Sequence, residues 1–108
     1  MLLNEYQHAA TRTAAKYRDS TWEMMILALG LTGEAGEFAN SVKKIVAHGH
    51  PTDKGGLVEE LGDVLWYVAM AARNLDADLE RVARANITKL LKRYPNGSSA
   101  DRSISRKG

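Results

Sequence analysis

The 108-residue chain predicts an all-α fold, a four-helix bundle. Three observations carry that expectation. Apolar residues recur at helical spacing in four segments. Cap residues and Pro/Gly turns separate those segments. No segment shows a convincing strand alternation, and no long-period repeat interrupts the pattern.

The first helix is expected over about Asn4 to Tyr17, with Asn4 as N-cap and Tyr6, Ala9, Ala10, Thr13 and Tyr17 at helical spacing. The second begins near Ser20, where Ser20 and Glu23 make a capping-box pattern, and runs to about Ala47. The stretch His48 to Gly56, HGHPTDKGG, reads as a loop from its Pro and Gly content. The third helix is expected from about Leu57 to Leu75. Asp76 or Asp78 then caps a fourth, which stops at RYPNG, where Pro95 and Gly97 end it. The tail 98–108, SSADRSISRKG, is polar and basic and is expected to be flexible.

Composition narrows the function classes. A chain of this length suits one domain, with a core thin enough that self-association would help it. There is no cysteine, which excludes disulfides and thiolate metal sites. The opening MLLNEYQH lacks the basic-then-apolar pattern of a signal peptide, and the apolar run Met24 to Leu31 is too short to span a membrane. A cytoplasmic location is the expectation. The net charge of +2 lies in the tail, where Arg102, Arg106 and Lys107 face only Asp101. The body is neutral, so no basic face predicts a nucleic-acid partner.

The chemistry lies in paired carboxylates. An α-helix turns about 100° per residue, so Leu27, Leu31, Phe38, Val42 and Ile45 form one apolar stripe. Glu34 lies at its edge, with Glu37 about 60° further round. On the third helix Leu57, Leu61, Val64, Val68, Ala72 and Leu75 form a second stripe. Glu60 and Asp63 occupy its shoulder, with Tyr67 and Asn74 between them in angle. If the stripes pack together, four carboxylates share one small space. Like charges there repel or force protonation unless cations neutralise them. An all-oxygen set favours hard ions such as Mg²⁺ or Mn²⁺. Magnesium binds through few carboxylates plus substrate phosphates, which points to phosphate-ester or anhydride chemistry. A di-iron bundle wants Glu-x-x-His on two helices, and His8, His48 and His50 do not supply it.

Three glycines, Gly30, Gly33 and Gly36, recur every three residues beside the glutamates. Each costs about 1 kcal/mol relative to Ala in a helix interior. Close helix–helix approach and room for a ligand are both readings of them. Either places Gly33 against another helix or a ligand cavity. Trp66 lies off the core stripe, a position that suits an oligomer interface.

The segments LTGEAGEFANSVKK, EELGDVLWYVAMAA and ANITKLLKRYP together resemble the MazG-like branch of the all-α nucleoside triphosphate pyrophosphohydrolases, over roughly residues 20–106. The pattern is Glu-x-x-Glu, then Glu-x-x-Asp 22 residues on, followed by GDVLWY and by Lys-x-x-x-Arg ahead of YP. The resemblance implies a MazG-like helical domain over residues 1–97. It implies protomers that dimerise into a larger helical bundle, sometimes into tetramers, with sites completed across the subunit interface. It implies Mg²⁺-dependent cleavage of a nucleoside triphosphate to the monophosphate and pyrophosphate, clearing surplus or non-standard nucleotides. Glu34, Glu37, Glu60 and Asp63 become the metal set, with Glu34 also activating water. Lys89 and Arg93 match the family's basic pair, and Asn86 shares their face of helix four. Lys44 and Tyr67 complete the expected substrate contacts. The alternative is a non-catalytic helical interaction or regulatory module on the same scaffold, which would have no need to hold four carboxylates.

Overall fold

Four helices, α1 (Leu3–Thr11), α2 (Ser20–His48), α3 (Lys54–Asn74) and α4 (Leu79–Arg93), and no strand make up the described chain. The structure, a computed structural model, describes residues 1–97. The expectation of a flexible 98–108 tail lies outside the described residues.

The long antiparallel pair α2–α3 is the body of the fold, and α1 and α4 pack on α3 and on each other. Its joint is short because both ends are capped. Gly49 at φ 68° takes the left-handed position after α2, and the His50 N–H returns to the Lys44 carbonyl at 3.0 Å. A left-handed position at a helix end suits glycine because it lacks a β-carbon. Asp53 then caps α3 by accepting from the Gly56 N–H at 2.9 Å. The loop is therefore shorter than expected: Gly55 and Gly56 join the first turn of α3.

Other boundaries also differ. The first helix stops at Thr11 rather than Tyr17. The hydroxyls of Thr11 and Thr13 donate back to the Gln7 and Ala10 carbonyls at 2.8 and 2.7 Å, a competition that disfavours helix continuation. Asp19, not Ser20, caps α2, accepting from Trp22 N–H at 2.8 Å. Glu23 instead accepts from the Asn74 amide of α3 at 2.9 Å. Asp78 caps α4, while Asp76 occupies the preceding turn at φ 57°.

Asn4 does not cap its own helix. It caps α4, as part of a set that α1 and the α4 N-cap provide between them. Gln7 Oε1 accepts from Leu79 N–H at 3.0 Å, Asn4 Oδ1 from Glu80 N–H at 2.9 Å, and Asp78 Oδ1 from Arg81 N–H at 2.7 Å. The first three N–H groups of α4, which have no intrahelical partner, are thereby all satisfied. The Gln7 amide also donates to the Ala69 and Ala77 carbonyls at 3.0 and 3.2 Å. One buried side chain thus ties α1 to α3 and α4.

The core is small: Leu27, Ala69, Met70 and Leu79 are buried, with Tyr6, Ala10, Trp66 and Tyr67 packed around them. Trp66 is part of this packing rather than of an oligomer face. Its indole N–H donates to Thr13 Oγ1 at 2.8 Å, and its ring meets Tyr67 edge-on at 4.9 Å. Leu61 and Leu75, expected in the α3 core stripe, are 50% and 68% exposed. The buried face of α3 is centred instead on Ala69, Met70 and Ala72. Two apolar stripes stay open to solvent, Trp22–Met25–Leu29 on α2 and Val58–Leu61–Leu65 on α3.

Candidate active site

The register of α2 on α3 follows from three contacts. Glu23 meets Asn74, Gly30 meets Tyr67, and Ser41 meets Glu60. Between these, antiparallel stepping puts Glu34 opposite Asp63 and Glu37 near Glu60. Each helix carries its pair at i, i+3 spacing, neighbours on one face. The expected convergence of two acidic shoulders is thus what the helix packing produces.

The Glu34 carboxyl is held above its ordinary value, first by burial, then by Glu37, by Asp63, by a hydrogen bond with Glu37, and by Glu60. All the charged neighbours that act on it are carboxylates. Asp63 also reaches toward α1: burial and then the Asp63 charge raise the Tyr6 phenol. The Arg18–Asp19 and Arg84–Glu80 ion pairs lie away from the cluster.

Two carboxylate oxygens, Glu34 Oε2 and Glu60 Oε2, are buried without a hydrogen-bond partner. Buried polar atoms are normally satisfied, so two orphans in one acidic cluster call for an explanation. A divalent cation fits: the donors are all oxygen, the charge is unbalanced, and two donor atoms are already withdrawn from water. Among the described residues no three acidic or histidine side chains are already gathered at metal-ligand geometry.

Three further residues border this centre. Lys44 lines a cavity of about 240 Å³ with Ser41, His50, Asp53, Leu57 and Glu60, which places it on the Glu60 side of the acidic cluster. His50, read from the sequence as loop chemistry alone, borders the same cavity. Ser41 was not anticipated at all: its hydroxyl donates to Glu60 Oε1 at 2.7 Å. A serine one turn beyond Glu37 was the available signal, but serine in a helix ordinarily bonds its own backbone.

Tyr67 lies one helical turn from Asp63, its ring against Gly30. A β-carbon at Gly30 would overlap that ring, which accounts for this glycine. Gly33 and Gly36 have open space where a side chain would go, and both are exposed in the protomer. The expectation that Gly33 abuts a helix or a cavity is corrected accordingly. Asn86 and Lys89 are exposed and Arg93 is half-buried, on a helix that packs against α1 and α3.

Fold and site together define an all-helical protein with an acidic cluster between its two longest helices. A model of the MazG nucleotide pyrophosphohydrolase domain matches residues 23–98, and the chain belongs to that family. It is also similar to the Gene 37 protein of Mycobacterium phage L5, at 41% identity over 110 residues, covering 90% of this chain and 92% of that protein. No solved structure matches it.

Proposed function

We propose that the chain hydrolyses a nucleoside triphosphate between its α and β phosphates, releasing the monophosphate and pyrophosphate with Mg²⁺, or Mn²⁺, as cofactor. The observation that carries this reading is the pair of buried, unpartnered oxygens on Glu34 and Glu60, inside a four-carboxylate cluster of a MazG-family chain. Glu37, Glu60 and Asp63 are the main ligands, joined by Glu34. The cation supplies charge neutralisation and Lewis acidity at the phosphate oxygens.

This chain's own residues supply the rest. Glu34, at the edge of the cluster on α2, is the carboxylate assigned to take a proton from the attacking water. Lys44, beside Glu60, faces a space where phosphate oxygens can lie. Tyr67, one turn along, borders the nucleoside. Asn86, Lys89 and Arg93 bind distal phosphates, the two basic side chains as charge-assisted donors.

The protomer is one copy within a larger working assembly. The exposed stripes on α2 and α3 are contiguous apolar surface of the kind that marks an interface. A second copy covers them, giving a homodimer or a homotetramer in which α4 of one protomer serves the site of another. No described helix is long and apolar enough to cross a membrane, and the proposed place of action is the cytoplasm. The role is clearing surplus or non-standard nucleotides.

A screen of standard and modified triphosphates with Mg²⁺ or Mn²⁺, reading pyrophosphate release, tests this. Wild type is expected to turn over at least one, and Glu37→Gln and Asp63→Asn to stay folded and inactive. No turnover on any substrate would overturn the activity. Folded dimers with no affinity for Mn²⁺ in calorimetry would favour a non-catalytic helical module instead.

A further inference from the structure

Ser41 carries a role that neither the motif nor the fold assigns. Hydroxyl side chains within helices usually bond the carbonyl four residues back. Two others in this chain do so: Thr11 donates to Gln7 at 2.8 Å and Thr32 to Ala28 at 3.1 Å. Ser41 instead reaches across to α3 and donates to Glu60 Oε1 at 2.7 Å, in a half-buried setting. A serine hydroxyl has one proton to give. Spent on Oε1, it fixes the carboxylate and leaves Oε2 buried with no donor. Both residues border the cavity that Lys44 lines.

We propose that Ser41 is a positioning residue for Glu60, holding one carboxylate oxygen so that the other is presented to a divalent cation. The role rests on the metal reading above. Outer hydrogen bonds orient metal-ligating carboxylates, and their loss typically lowers metal affinity by about 10- to 100-fold. A pre-aimed Glu60 would give a bound cation one ligand of fixed direction. Ser41 touches neither the reacting phosphate nor the water in this scheme.

The test is calorimetric titration of the nucleotide-free protein with Mn²⁺, on wild type, Ser41→Ala and Ser41→Thr, with circular dichroism to show equal helix content. Ser41→Ala is expected to bind Mn²⁺ about 10-fold more weakly, and Ser41→Thr, which keeps the hydroxyl, to bind within a few-fold of wild type. A purely structural serine would lower the melting temperature of the EDTA-treated protein and leave the Mn²⁺ affinity alone. Ser41→Ala binding like wild type overturns the positioning role while the metal site stands. A folded Ser41→Thr that binds Mn²⁺ about 10-fold more weakly than wild type overturns it too, even if the alanine variant misfolds. Wild type that binds no Mn²⁺ overturns the metal reading and this role together.

Discussion

The ring of Tyr67 occupies the space beside Gly30 that a β-carbon would need. That contact pins the α2–α3 register one turn from Glu34 and Asp63, so a packing detail sets where the acidic shoulders meet. Gly30→Ala forces the packed Tyr67 ring to move, an overpacking cost of about 1–3 kcal/mol, against which better helix propensity returns about 1 kcal/mol. A net loss of stability is expected. Gly33→Ala, with open space and a helical backbone, should raise stability by about 0.5–1 kcal/mol. Urea midpoints of the two variants check this; equal shifts would remove Tyr67 as the reason for Gly30.

Gln7 joins three helices through one amide. Gln7→Leu leaves the Ala69 and Ala77 carbonyls and the Leu79 N–H buried or half-buried without that partner. Stranded polar groups cost about 1–3 kcal/mol each where they stay unsatisfied. A loss of about 3 kcal/mol is expected by urea unfolding, as against about 1 kcal/mol for Asn4→Ala, which removes a single cap. Similar losses for the two would show that Gln7 is no more than a cap.

Glu34 makes the metal-free protein sensitive to pH. Its folded-state value is raised above 4.5 by burial and then by its acidic neighbours. The folded form therefore holds the proton more tightly than the unfolded chain. Its contribution is fully present below pH 4.5 and is lost as pH rises through the raised value. Glu34→Gln, always neutral, should be more stable than wild type at neutral pH in EDTA, with the gap closing on acidification. Denaturant midpoints between about pH 4 and 8 measure it; parallel curves would show that the cluster imposes no strain on Glu34. Adding Mg²⁺ at neutral pH should stabilise wild type and not the variant lacking this charge to the same degree.

Leu61 sits next to Glu60 yet is half exposed, between Val58 and Leu65. Leu61→Glu should leave the protomer helical, since the side chain is not in the core. It should shift sedimentation toward a monomer and lower pyrophosphate release with it. An unchanged oligomer would place the interface on another face.

Much of this architecture was legible in the chain. Four helices follow from apolar periodicity and punctuation, and two acidic pairs on matching shoulders follow from 100° per residue. Boundaries were less legible where a side chain had two possible partners: Asn4 looks like a cap for α1, and only the approach of α4 gives its oxygen to Glu80.

What the sequence determined alone is therefore whatever depends on positions within one helix: periodicity, angular placement of the carboxylates, and the presence of a Pro/Gly loop between α2 and α3. What only the tertiary structure decided depends on the register between helices. Ser41 meets Glu60, Gly30 rather than Gly33 accommodates Tyr67, and Trp66 turns inward to Thr13. The physical reason is range. Helix geometry is set by backbone hydrogen bonds four residues apart, whereas contacts across α2 and α3 depend on how two whole surfaces settle against each other.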